Sequence, residues 1–504
     1  MNTINLKLLR PFAFCVVALL FAACGQQESA TTEEASADAP MSAAKVAVTT
    51  SSDEARALYM EGQTLADNLR GVEAQEKFAQ AVEADPTFAM GYYNLALSSQ
   101  TTAEFFDAVG KASENAASAS AGEQLKIAAL VAGSENDQAG QAAALQELVA
   151  MYSKDERAHM LLGTYYFGLQ DFAAAVEHLD HAVAINPDFA GAQNMLGYAH
   201  RSLEDFESAK AAFAKYVELL PNESNPYDSY AELLMEMGDY DASIENYRKA
   251  LEIDPNFAAS YAGITINESL KGNADLAQEA ADQMLAAARN PPERQAAMFQ
   301  SVTSHLFAGN FDAAMKVCDT MLAEAGVIGN KAAMGGVNEY MGDIMLTKGE
   351  AAKAEEYYNA ALDNRLAAGF NEANQAQAER THMFKAAIAA MIAGDSEAAA
   401  TRTAEYSAAA EMNGTAFEKL RVHELAGYLA MNNEDLELAA QHYAQANQLN
   451  PVLLYWSAWA NAELGNSEKA IDLATRAANR NTLNRNLPFF RGRAQELLAK
   501  LTAE

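Results

Sequence analysis

His423-Glu424-Leu425-Ala426-Gly427 stands one residue short of H-E-x-x-H, in which two histidines four apart on a helix bind zinc and the glutamate activates a water. Gly427 replaces the second histidine, so the facing ligand pair is missing. Glu177, His178 and His181 share one predicted helix at three- and four-residue spacing, but the sequence supplies no evident third ligand, and a solvated helix face accounts for them. Of three cysteines, Cys15 and Cys24 lie near the N-terminus and Cys318 alone remains, which leaves no pair for an intrachain disulfide. Cys318 reads as a small buried apolar residue. There is no P-loop, no dinucleotide glycine fingerprint and no G-x-S-x-G. The residues therefore point away from an enzyme, and no metal or cofactor is expected.

The first fifty residues concern location. Lys7 and Arg10 precede an apolar run from Phe12 to Ala23, too short for a hydrocarbon core that needs about 20 helical residues. This predicts a cleaved export signal over residues 1–23. Phe21-Ala22-Ala23-Cys24 resembles the bacterial lipobox, although Phe21 stands where leucine is usual. That resemblance implies lipid attachment at Cys24, and Gly25 in place of aspartate favours an outer membrane facing the periplasm. The stretch that follows, to about residue 54, is rich in Gln, Glu, Ser, Thr and Ala and is expected to be a flexible linker.

These features require a scaffold, and its signal is periodic. Pro187, Pro221 and Pro255 recur every 34 residues. Leu162-Gly163, Ala175, Leu179 and Ala182 precede the first; Leu196-Gly197, Ala209, Phe213 and Tyr216 precede the second; Ala231, Ser243, Tyr247 and Ala250 precede the third. The pattern resembles the tetratricopeptide repeat (TPR), two antiparallel helices A and B with a small residue facing a large one. The resemblance implies an all-α fold, a right-handed superhelical solenoid of about twelve helix-turn-helix repeats. Segments 55–291 and 292–484 read as a regular and a looser array, and 485–504 as a capping helix. Insertions are expected near 290–336, at Asn290-Pro291-Pro292 and the glycine-rich Gly326 to Gly336. In Asp85-Pro86-Thr87-Phe88 and its copies, the acid or amide after the proline is expected to help start the next helix, with the phenylalanine packing at the boundary.

In that family, helix A of each repeat lines a concave groove. Carried onto this chain, the groove positions include Tyr93, Arg157, Asn194, Tyr198, Arg201, Asp228, Glu232 and Tyr428, with a change of sign from Arg157 and Arg201 to Asp228 and Glu232. Tyrosine there suits extended or helical protein segments. The formal charge is −33, and about −35 once Lys7 and Arg10 are removed with the signal. So acidic a surface argues against nucleic acid. A basic end with Arg476, Arg480, Arg485, Arg491 and Arg493 reads either as a solvated face or as a dock for an acidic partner or the protein's own acidic body.

Together these point to a lipid-anchored envelope scaffold that binds protein or peptide partners and touches the membrane through its N-terminal lipid only. The alternatives are a solute-binding lipoprotein for a peptide or acyl ligand, or a metal-dependent hydrolase subunit resting on His305, His382 and His423.

Overall fold

The computed structural model describes residues 45–503 apart from 68–69, 100–101, 136 and 484–485. Cys24 and the apolar run before it lie outside the described residues. Those that are described form 25 α-helices and no strand: twelve successive helix pairs followed by the helix Leu487–Ala503. None of these helices is long and apolar enough to cross a membrane.

The pairs arise from a short local code. In the regular region the A helices Glu156–Gly168 and Ala190–Ser202 have 13 residues, and the B helices Phe172–Ile185 and Phe206–Leu219 have 14. Between A and B the chain reverses through one left-handed residue, occupied in successive repeats by Gln170, Glu204, Gly238 and Gly272. The following residue caps helix B where it is aspartate: Asp171, Asp205 and Asp239 each accept a backbone N–H three residues on. Close packing of A on B depends on the small residue in A. A methyl on Gly197 would lie 2.7 Å from the Phe213 ring, which is itself fully buried.

The repeat boundary works differently from expectation. The residue before the proline, not the one after it, makes the polar turn: Asp85, Asn186 and Asp254 accept the backbone N–H of Thr87, Asp188 and Asn256. The N-cap positions are Phe88, Phe189 and Phe257, which make no side-chain cap, and Phe88 and Phe189 are buried as anticipated. Extended backbone forced ahead of a proline brings the side chain of that residue round to the N–H beyond the ring.

The looser second half contains longer helices rather than inserted loops. Pro291–Phe307, Phe311–Val327 and Lys331–Thr347 have 17 residues each, and Glu372–Ala393 has 22. Asn290 caps the first of these with proline at its opening turn. The glycine-rich stretch is mostly helical, with Gly329 supplying the left-handed turn. About one extra turn per helix lengthens the period while keeping the apolar face in place.

The described chain divides into two compact units, one ending at Leu233 and one beginning at Leu234. In the second, the last helix packs on Ser467–Asn479, and its opening turn reaches the inner helices of its own unit. Leu487 and Phe490 are buried in the core that contains Met298, Val302 and Met341, and Phe489 meets Tyr340 edge-on at 6.0 Å. Arg480 pairs with Glu236 at 3.3 Å, and Arg491 donates to the Tyr240 hydroxyl at 3.0 Å. Two of the basic residues near the C-terminus are thus engaged by the protein's own body.

Candidate functional site

The nominated groove residues divide by burial. Tyr93 and Tyr428 are 7% and 9% exposed and serve packing. Tyr93 belongs to the core around Tyr59, Phe78 and Phe88, and Tyr428 packs edge-on against Tyr443 at 5.8 Å. Broad side chains in these slots are covered by the helices on either side, so they offer a partner little area. Asp228 is buried as well, at 8%.

The rest lie on the A helices of three consecutive repeats, and most of their charge is satisfied internally. Arg157 makes two hydrogen bonds to Asp67, of 3.1 and 2.7 Å, and stacks 5.0 Å from the centre of the Phe189 ring. Arg201 pairs with Glu232 at 2.6 Å while lying 4.7 Å over the Tyr198 ring. The Tyr198 hydroxyl sits 3.1 Å from both Ser229 Oγ and Glu232 Oε2. Burial, reinforced by the Glu232 carboxylate, pushes that hydroxyl well above its ordinary range. The expected change of sign from arginine to acid is therefore closed by an ion pair within the face. Asn194 is the exception: its side-chain oxygen is buried and has no hydrogen-bond partner. A buried acceptor costs free energy until a donor reaches it.

A second feature was not anticipated. Residues 45–51 have no regular secondary structure, yet they lie against repeat ends of the first unit rather than forming a free linker. Val46 and Thr49 donate their backbone N–H groups to Asp155 Oδ2 and Glu123 Oε1, at 2.7 and 2.8 Å. The Thr50 hydroxyl donates to Asp85 Oδ2, and Lys45 pairs with Glu156 at 2.6 Å. The Thr50 hydrogen bond, helped by those from Thr87 and opposed by burial, holds the Asp85 carboxyl below its ordinary range.

Each of the three acids divides its carboxylate. Asp155 caps its helix through Oδ1, Glu123 closes a capping box with Ser120 through Oε2, and Asp85 binds Thr87 through Oδ1. The other oxygen of each holds the segment. Val46 and Val48 pack toward the cores of the third and first repeats, and exposure alternates along the run. Composition concealed this, because the run has few large apolar residues. The period-two spacing of Val46, Val48 and Thr50 was the available signal.

The histidines also group more closely than the sequence suggested. His159, from helix A, places Nδ1 3.5 Å from His178 Nδ1, and its ring centre is 5.1 Å from that of His181. Burial lowers the affinity of His159 and His178 for a proton. His423 and His442 repeat the arrangement at 3.3 Å. Among the described residues, no group of three or more His, Cys, Asp or Glu is placed to hold a metal ion. Cys318 is buried, and that burial pushes its thiol up to about 12, as befits a packing residue.

Sequence reasoning missed the buried charges of the second unit altogether. Lys385, 1% exposed, lies 2.7 Å from Asp343, which also accepts the Tyr358 hydroxyl at 2.7 Å. Arg380 and Glu418 form a buried two-point pair at 2.9 and 3.1 Å. Glu424 is buried beside Tyr428, and desolvation raises its pKa to about 7 despite Arg421 and Lys385 nearby.

The family description "Tetratricopeptide repeat" matches residues 129–188 and 160–224, and "TPR repeat" matches residues 231–264. The chain contains tetratricopeptide repeats. These matches fall on the helix pairs around Pro187, Pro221 and Pro255, where the period is most regular. No curated protein sequence matches the chain.

Among solved structures, a tetratricopeptide repeat protein from Parabacteroides merdae is 14% identical, with a TM-score of 0.39, over 52% of this chain and 99% of its own. PilW, described as a widely conserved type IV pilus biogenesis factor, is 16% identical, with a TM-score of 0.34, over 40% and 92%. YrrB, a TPR protein with an unusual peptide-binding site, is 18% identical, with a TM-score of 0.28, over 44% and 95%. Similarity at this level carries no functional argument.

Proposed function

We propose that the protein is a non-enzymatic scaffold of a bacterial envelope, anchored by lipid at Cys24 to the periplasmic side of the outer membrane, that binds protein segments through the A-helix face of its regular tetratricopeptide repeats. The single observation that carries the binding reading is Asn194. Its unbonded oxygen lies one helical turn before Tyr198 on the same A helix, a buried acceptor that would take a backbone N–H from an incoming segment once local opening exposes it. The motif Phe21-Ala22-Ala23-Cys24 supports the anchor. The acidic net charge of −33 favours protein over nucleic acid.

Two measurements test this. Crosslinking in native envelopes should recover a protein partner whose yield falls about tenfold with Asn194→Leu, the loss of a hydrogen bond worth about 1.4 kcal/mol, while helicity stays unchanged. Undiminished recovery would move the site. Cys24→Ser should release the protein from membranes, and continued tight association would refute the anchor.

A further inference from the structure

The edge that holds residues 45–51 makes few demands on what it holds. Two of its contacts are to backbone N–H groups, which every residue except proline offers, and these are held by Asp155 and Glu123. A third takes a hydroxyl, and a fourth takes the ammonium of Lys45. Its side-chain requirement is for small residues. Val46 enters a notch floored by Gly122, where an added methyl would lie 2.7 Å from the valine and 2.8 Å from Tyr152. The oxygens that hold the segment are not those that cap the helices at Asp155 and Glu123 or close the turn at Asp85, so these local bonds orient the three carboxylates independently of the segment and preorganise the edge.

We propose that the edge marked by Asp85, Glu123, Asp155 and Glu156 is a binding site for an extended protein segment in which a cationic residue precedes alternating small β-branched residues, and that residues 45–51 occupy it in cis. The inference rests on the reading of the array as a binder of protein segments, but it places a second site on residues other than Asn194. A cis segment competes at an effective concentration on the order of millimolar, so an incoming segment binds well only after residues 45–51 leave. Occupancy of the edge and release of the N-terminal segment are then one event.

The test uses the full chain and a fluorescent peptide with the sequence of residues 45–52. Anisotropy should show weak binding to the unaltered protein and binding at least tenfold tighter to a Val46→Asp, Val48→Asp variant, whose own segment no longer seats. N-methylation of the peptide at the amides matching Val46 and Thr49 should remove that gain without any change to the protein. Circular dichroism should show equal helicity in both proteins.

Equal affinity for the two proteins would overturn cis occupancy, and so would a dimer in light scattering that the variant abolishes, since the segment would then sit on a second copy. No binding to the variant, or undiminished binding of the methylated peptide, would overturn the site. None of these outcomes touches partner capture through Asn194, so failure here is distinguishable from failure of the scaffold reading.

Discussion

Arg201 reaches one repeat forward and closes on Glu232 at 2.6 Å, each side chain 18% exposed, with the Tyr198 ring beneath the guanidinium. A pair this shielded is worth more than a surface ion pair, yet both ends keep some solvent. Replacing each by alanine, singly and together, should give a coupling energy of about 1 kcal/mol in urea unfolding. A coupling near zero would mean that the two charges act independently and that Arg201 is free to serve a partner.

The left-handed turn is filled by glycine in Gly238 and Gly272 but by side-chain-bearing residues in Gln170 and Glu204, with φ near +61° and +62°. Those two positions carry strain that glycine would relieve. Glu204→Gly should stabilise the protein by about 0.5–1 kcal/mol, and Gly272→Ala should destabilise it by about 1 kcal/mol. Thermal unfolding of the two variants should therefore shift in opposite directions.

Lys385 is enclosed with Asp343. Lys385→Met would leave that carboxylate buried without its cation, at a cost of about 3–5 kcal/mol. Adding Asp343→Leu should recover most of the loss, because the desolvated charge is gone. If the double variant is no more stable than the single one in denaturant unfolding, packing rather than charge governs the site.

Glu424 has a folded-state pKa raised from 4.5 to about 7, principally by burial. The folded protein therefore holds a proton that the unfolded chain releases, and stability falls as pH rises from about 4.5 through 7. Glu424→Gln should make little difference at pH 4 and raise stability at pH 8 by up to about 3 kcal/mol. Melting curves at the two pH values check the sign: a variant less stable at pH 8 would mean that the ionised carboxylate is held favourably by Arg421 and Lys385.

What the sequence disclosed depended on how local the cause was. The 34-residue proline period and the facing of Gly197 and Phe213 are written in nearby residues, and the helix pairs follow from them. The helix-capping aspartates such as Asp205 are equally local, but sequence reasoning missed them in favour of the residue after the proline. The looser half hid its regularity, because a longer helix and an inserted loop shift the spacing of glycines equally. Candidate groove residues could be placed on helix A, but which were covered could not. Arg157 meets Asp67 across 90 residues, a pairing that no local pattern encodes. The segment at 45–51 was obscured by composition, since backbone N–H groups rather than large side chains hold it.

The uniform spacing of Pro187, Pro221 and Pro255 also bears on how such a chain gains and loses length. A 34-residue cassette copied or excised there by recombination would keep the helix faces in phase, although the joint at Pro221, with Leu220 and Glu223 where Pro187 has Asn186 and Phe189, differs chemically from its neighbours. Beyond Gly309 the turn residues fall at Gly349 and Gly394, at unequal intervals of 40 and 45, and no single length can be exchanged without putting a helix face out of phase. On spacing alone, the region around the prolines is where one length could be exchanged in phase, and the half with buried Lys385 and Glu424 is where it could not.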